Sequence, residues 1–467
     1  MKTYPDNQEL LKIINELEDQ FDLSKLNVRD VNIWPLIRIS ICFGLISNRY
    51  NIGTFVNEKK GKTILSLISD IIALKKFLSK KPKINTLHTT HNIYLFNINN
   101  KIYDRVHYGN EFNEIQNNSK TKRINFSDFS INNIDNNKSI SNLSSLFLFY
   151  KIISVPYSLF LFFGNFMTYI NLFYFYRFLK TKHINAINIL FKIPFKVSYI
   201  FLIARFMKYF FEECEIKLLR HANYYSLDSM AMTLAARRCN IEIENIQHGS
   251  QSRDHPAFGK WNAFQTDGYD LLPSIFSCWD KESVTILEQS FNSSAKHSVR
   301  LSKYSWVDAW KNNEIQYNFD EIKSFSRGKF NILLTLQPSI DGIQDFILKT
   351  IKETSDDICW WIRLHPRQLT KQSITFIKDS LPQTASKIVV DLASTSPLPA
   401  ILSITDLHIT AFSSSVYEAS LFNVPTLITH KMGVDYYGQN LKNLNANYCN
   451  NIDLITENIR NGVKSKF

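Results

Sequence analysis

Cysteine is scarce and dispersed in this 467-residue chain. The six, Cys42, Cys214, Cys239, Cys278, Cys359 and Cys449, include no C-x-x-C pair, so neither a disulfide framework nor a zinc site is indicated. A reducing cytoplasm is the expected location. No Asp-x-Asp occurs, which leaves a metal-bridged diphosphate without its usual ligands and predicts no required divalent ion. Neither G-x-G-x-x-G nor G-x-S-x-G is present, so dinucleotide redox chemistry and serine hydrolysis lack their usual signatures. Gly61-Lys62-Thr63 matches only the end of a P-loop: Val56 stands where the first glycine belongs, and no strand precedes it. ATP hydrolysis is therefore unsupported. The opening MKTYPDNQELLKIINELEDQ is polar and acidic where a secretory leader has a basic start and a short apolar core.

What the chain does have is basic charge and apolar mass. Lys and Arg number 54 against 42 Asp and Glu, a net +12, which favours anionic partners such as nucleotides or phospholipid surfaces. No nucleic-acid partner is expected, because the lysines cluster beside apolar helices and not on an identifiable reading element. The length and the 45% hydrophobic content favour two or three domains, each able to bury a core. Residues 152–176, IISVPYSLFLFFGNFMTYINLFYFY, carry no charge and are long enough to cross a bilayer. Pro156, Gly164, Asn165 and Asn171 interrupt the run, and Lys151 and Arg177 flank it. One or two helices lying in the membrane interface are expected. Upstream, Lys59, Lys60, Lys62, Lys75, Lys76, Lys80, Lys81 and Lys83 surround TILSLISDIIALKKFL, each worth roughly 1 kcal/mol near an anionic bilayer. Buried core helices with a solvated lysine fringe fit the same pattern, and both readings stay open.

Residues 84–98 read as a strand, and the Asn- and Ser-rich stretch 117–145 as surface loop. Residues 227–249 read as a helix, a turn and a strand ending at Gln247-His248-Gly249. A domain division is expected between Ser290 and Gly328, giving an N-terminal domain of about residues 1–300 and a C-terminal domain of 301–467. From Lys329 the pattern alternates regularly between apolar strands (KFNILLTLQPS, ICWWIRLHP, KIVVD, DLHIT, PTLITH) and helices, which predicts a parallel sheet with helices on both faces.

In such a sheet ligands sit beyond the carboxyl ends of the strands. Ser413, Ser414 and Ser415 fall at one of these ends, before the helix VYEASLF, where hydroxyls and first-turn N–H groups suit a phosphate. Glu418 lies one turn further on, within reach of ribose hydroxyls. Ser415 with Glu418 also fits an S-x-x-E capping box, which needs no ligand. WWIRLHPRQ sets Arg363, His365 and Arg367 at a second strand end, with Pro366 stopping the ladder; cations there complement a leaving phosphate. TLQPSIDG offers Gln337, Ser339 and Gly342 at a third.

At these residues the sequence resembles the bacterial surface-polysaccharide glycosyltransferases of the GT-B fold. His365-Pro366 and the serine cluster with Glu418 are similar to motifs of bacterial sialyltransferases, and Gln247-His248-Gly249 to a motif of capsule-synthesis transferases. The resemblance implies an α/β protein with two Rossmann-like domains facing a cleft, the C-terminal one holding a CMP-sugar or NDP-sugar through His365, the serines and Glu418. The acceptor, a lipid-linked glycan at the inner face of the cell membrane, would be held by the N-terminal domain. An inverting reaction needs a base, and His248, Asp254 and His255 in QHGSQSRDHPAFGKW are the candidates, ranked with His248 first and Asp254 second. Transfer of a polyol phosphate from a CDP-activated donor, or a non-catalytic membrane assembly role, are the alternatives.

Overall fold

The computed structural model describes residues 7–50, 64–90, 94–99, 101–109, 121–125, 130–133, 139–249, 251–262, 266–291, 294–337 and 342–466. Lys59, Lys60, Lys62 and Ser339 fall outside them, as does the side chain of Arg367. The chain forms two compact units, Met1–Tyr304 and Ser305–Phe467, each an α/β structure built on a largely parallel sheet.

In the first unit six strands run parallel in the order Ser298–Leu301, Ile275–Cys278, Glu242–Ile246, Leu218–His221, Thr86–Thr90, Thr121–Asn125. Numbered along the chain this is 6-5-4-3-1-2, and direction reverses between Thr86–Thr90 and Leu218–His221, a topological switch point. The run expected as one strand over 84–98 divides: Thr86–Thr90 enters the sheet, while Leu95–Ile98 pairs antiparallel with Lys101–Asp104 in a separate hairpin. The stretch expected as loop supplies Thr121–Asn125 and two antiparallel strands, Ser130–Asn133 and Ser139–Asn142, at the sheet edge. Partner strands override the low intrinsic strand preference of Asn and Ser.

Between the second and third parallel strands comes a helical insertion. Its helices are Ser144–Gly164, Phe166–Thr181 and Ile193–Glu213, and the break falls at Asn165 while Pro156 stays inside the first helix. Ile200, Ile203, Ala204 and Met207 of the last helix are buried, as are Ala231, Ala235 and Ala236 on helix Leu227–Arg238, whose small side chains let the two helices pack closely. Ser226 caps that helix, its Oγ accepting from the Ser229 N–H at 3.1 Å.

Helix Asn7–Gln20 buries Leu10, Ile13, Ile14 and Leu17 at helical spacing. Glu18 is buried as well because Arg38, on helix Trp34–Tyr50, meets it with a guanidinium that also donates to Lys260 O at 2.8 Å and lies 4.5 Å from the Trp261 ring. Trp34 Nε1 and the Asn262 N–H donate to the same carboxylate, at 3.1 and 2.6 Å.

The second unit has six parallel strands in the order Lys387–Val389, Ile358–Arg363, Phe330–Thr335, Leu407–Thr410, Thr426–Ile428, Ala446–Tyr448, or 3-2-1-4-5-6, the Rossmann order. Every residue of Phe330–Thr335 and Ile358–Arg363 is buried, which is why these strands read as largely apolar runs, broken within only by Asn331. The two indoles in that core find acceptors, Trp361 Nε1 at Asn331 Oδ1 (3.0 Å) and Trp360 Nε1 at Thr354 Oγ1 (3.1 Å).

Replacing Glu18→Gln leaves the buried Arg38 charge without its counter-charge. Urea unfolding is expected to show a loss of about 3–5 kcal/mol; a loss below about 1 kcal/mol would show that the pair is not a structural tie.

Candidate functional site

The second unit brings three of the predicted loops to one edge. Thr335 is in register with both Arg363 and Thr410, so the three adjacent strands end at one level. At a strand spacing of about 4.8 Å, the chains leading to His365 and to Ser413 leave the sheet about 10 Å apart, with the one leading to Gln337 between them. The switch point of the Rossmann order lies between strands Phe330–Thr335 and Leu407–Thr410.

The serines divide their roles. Ser415 is buried, its Oγ 3.2 Å from Thr335 Oγ1 and 3.3 Å from His408 Nε2. His408, fully buried, also reaches Thr426 Oγ1 through Nδ1 at 3.0 Å, and burial pushes its pKa down to about 3, so it is a neutral bridge between strands. Ser413 Oγ accepts from the Ser415 N–H at 3.3 Å, and its carbonyl accepts from the Tyr437 hydroxyl at 2.6 Å. The Ser414 hydroxyl makes no hydrogen bond to another described residue. Helix Ser415–Leu421 begins at Ser414 without a side-chain cap, so the capping box expected from Ser415 and Glu418 does not form. With the Ser415 hydroxyl taken inward by His408, it cannot turn to the helix N–H groups. Glu418 is buried. The loop is also set by Gly433, where a Cβ would stand 2.4 Å from Ala411 O. Any side chain there would push helix Lys431–Tyr437 off the loop, a close approach invisible in the sequence.

Two strands along the sheet, the His365 carbonyl accepts from the Gln368 N–H at 2.8 Å to start the turn Pro366–Gln368, and the His365 side chain is partly exposed. Arg363 departs from the expectation of a phosphate-facing cation. It is buried, and its Nη1 donates to Ala393 O and, at 2.7 Å, to Ser396 O, bracing the strand end against helix Asp391–Thr395. Gln337 is buried, and its Nε2 has no partner among the described residues. Beside these loops a cavity of about 280 Å³ is lined by Leu336, Leu364, Gln368, Gln372 and Phe376.

In the first unit Gln247 is a clasp. Its Nε2 donates to Gly249 O at 3.0 Å and Ser283 Oγ at 3.3 Å, and its Oε1 accepts from the Trp279 N–H at 2.6 Å. His248 follows, partly exposed, its ring 5.8 Å from that of Tyr94 and its Nε2 3.5 Å from the Tyr225 hydroxyl. The His255 ring packs against Phe258 at 4.8 Å, and its Nδ1 accepts from the Ala257 N–H at 3.1 Å. Burial lowers its pKa to about 3, which makes it a poor proton acceptor. Asp254, next to His255 in the chain, lines a cavity of about 480 Å³ with Lys12, Asn15, Arg253, Lys260 and Gln289.

The polar network on this unit's sheet was not anticipated. His221 joins Thr89 Oγ1 (3.1 Å) to Thr233 Oγ1 (3.0 Å), as His408 joins hydroxyls in the second unit. Arg220 Nε donates to Glu244 Oε2 at 2.7 Å, and Arg300 and Ser277 bond the other oxygen. Charged and polar residues inside the apolar strands Leu218–His221 and Glu242–Ile246, Arg220 and His221 in one and Glu244 and Asn245 in the other, were the available signal.

Burial raises the Glu244 pKa, but the Arg220 charge and the hydrogen bonds from Ser277, Arg220 and Arg300 outweigh it, so the folded value lies below the ordinary 4.5. The carboxylate therefore contributes stability above pH 4.5 that is lost as pH falls through the lowered folded value. Glu244→Gln is expected to lower stability at pH 7 and flatten the stability profile below pH 4.5; an unchanged profile would overturn this. Ser415→Ala is expected to cost about 1 kcal/mol, and Ser414→Ala less than about 0.5 kcal/mol, by thermal unfolding.

No family model matches the chain, and no curated protein does. Among solved structures it is similar to S. aureus MnaA with UDP at 15% identity, over 57% of this chain and 72% of that one, with a TM-score of 0.39. It is similar to the UDP-GlcNAc 2-epimerase of Neisseria meningitidis bound to UDP-GlcNAc at 15% identity, over 58% and 73%, TM-score 0.41. Similarity to the wall teichoic acid polymerase TagF is 14%, over 53% and 64%, TM-score 0.36. At scores below 0.5 these likenesses carry no weight for the site or its chemistry.

Proposed function

We propose that this chain is a GT-B-type glycosyltransferase, moving a sugar from a CMP-sugar or NDP-sugar to a lipid-linked glycan of the bacterial cell surface, as in capsule, O-antigen or lipooligosaccharide assembly. The supporting observation is the strand edge of the second unit, where the Ser414 hydroxyl and the buried Gln337 amide, neither engaged by a described residue, lie on either side of a Rossmann switch point with His365 beyond the end of the next strand. Hydroxyl, amide and imidazole donors suit the oxygens of a nucleotide phosphate. Metal independence and a cytoplasmic, peripheral membrane location are part of the same proposal.

In the reaction the acceptor hydroxyl forms a bond to the anomeric carbon while the bond from that carbon to the phosphate oxygen breaks. The nucleotide leaves with the electron pair, stabilised by the donors at the strand edge. The hydroxyl proton passes to a base, for which His248 is the first choice, partly exposed and oriented between two tyrosine rings, and Asp254 the second.

A thermal-shift panel of CMP, CDP, UDP and GDP tests the donor site. At least one nucleotide is expected to stabilise the protein, and Ser414→Ala or His365→Ala to weaken that binding by about tenfold, roughly one or two hydrogen bonds. No shift with any nucleotide would sink the proposal. His248→Ala should lower turnover by about 10²–10⁴, and EDTA should leave it unchanged. Phosphorus in the product would move the assignment to polyol-phosphate transfer.

A further inference from the structure

Helix Ser144–Gly164 has two unlike sides. Phe147, Ser154, Ser158 and Leu161 are buried, whereas Leu148, Ile152, Val155, Leu159 and Phe163, spaced by four and three residues, face solvent. The exposed stripe continues around Asn165 onto helix Phe166–Thr181, with Phe163 76% and Met167 74% exposed, and then Phe173. Helix Ile64–Leu78 packs against the first and adds exposed Ile68, Ile71 and Ile72. An apolar surface of this extent is a binding face and not an ordinary solvated one.

Charge identifies the occupant. From Ser144 to Phe211 the chain has no Asp or Glu and eight Lys or Arg. The one acid on helix Ile64–Leu78, Asp70, is buried, its Oδ2 accepting from the Ser145 N–H at 3.0 Å, while Lys75 and Lys76 are exposed. Exposed aromatics bordered by cations, with no acid among them, match a surface of acyl chains beneath anionic headgroups.

Packing decides how the helices meet it. Among the described residues two helical stretches, Ser145–Gly164 and Ile187–Glu213, the second containing helix Ile193–Glu213, are long and apolar enough to span, but both are packed on the rest of the unit. Ser198 Oγ joins the two to each other at Ser154 O, 2.8 Å, while the turn after the first is tied to the segment around Arg29: the Arg29 N–H donates to Asn165 Oδ1 at 3.0 Å and Thr168 Oγ1 to Asn27 O at 2.6 Å. The second is half buried, its inner face packed on helix Leu227–Arg238. Crossing a bilayer would break the bonds at Asn165 and Thr168 and strip the second helix from helix Leu227–Arg238.

We infer that the exposed face of helices Ile64–Leu78, Ser144–Gly164 and Phe166–Thr181 docks on an anionic phospholipid bilayer, with the helices in the interfacial plane and the turn from Phe160 to Met167 inserted deepest. This builds on the peripheral-membrane part of the proposal above and stands apart from the transferase chemistry.

The test is cosedimentation of the full chain with vesicles of phosphatidylcholine alone or mixed with phosphatidylglycerol. Binding is expected to the mixed vesicles, weakened by salt and released by alkaline carbonate. Phe163→Glu with Met167→Glu is expected to lower vesicle affinity at least about tenfold, with melting temperature and nucleotide-induced thermal shift unchanged. Equal vesicle binding by the variant, retention after carbonate, or a lipid-free dimer that the variant dissociates would each overturn the inference, the last in favour of a second copy. Vesicle binding without any nucleotide shift would overturn the transferase reading alone.

Discussion

Parallel, in-register pairing of strands Ile358–Arg363, Phe330–Thr335 and Leu407–Thr410 is the constraint on which the candidate donor site depends. Adjacent strands running in one direction must release their following loops at one edge, so residues more than seventy positions apart meet there with no direct contact specified between them. A slip of one residue would turn each side chain to the opposite face of the sheet. The hydroxyls of Thr335 and Thr426 and the imidazole of His408 mark the register, because only this pairing places both ring nitrogens within hydrogen-bond reach of a hydroxyl.

That polar bridge recurs in the first unit, where His221 spans Thr89 and Thr233. In both places burial disfavours the imidazolium, and the neutral ring then has one donor and one acceptor to distribute between hydroxyls. Two buried carboxylates are met by cations, Glu18 by Arg38 and Glu244 by Arg220 and Arg300. Arg363 belongs with these braces, since its guanidinium serves carbonyls of its own unit. Among the described residues, the strand edge offers a ligand the Ser414 hydroxyl, the Gln337 amide and the His365 imidazole.

The helical insertion follows a different physical logic from the sheets. Its inner faces obey the usual rule of apolar burial, and helices Ser144–Gly164 and Phe166–Thr181, whose outer faces break that rule, carry no acid. The inner commitments, among them Asn165 and Thr168 to the hairpin of strands Asn27–Val28 and Val31–Asn32, fix the helices so that the apolar side is presented as a surface. A helix free of those bonds would have composition enough to cross a membrane.

Much of this was legible before any coordinates. The alternation after Lys329 and the strand ends at Gln337, His365 and Ser413 are visible because strands buried on both faces become largely apolar runs, and loops follow where the runs stop. The acid-free apolar stretch is likewise a property of the sequence alone. Tertiary structure decided what spacing cannot carry: that Asn- and Ser-rich segments become edge strands, that Ser415 turns inward while Ser414 does not, and that Arg363 and His255 serve packing. The reason is that period and composition report which side of an element is apolar, whereas the direction and partners of an individual polar side chain are set by neighbours brought from distant parts of the chain.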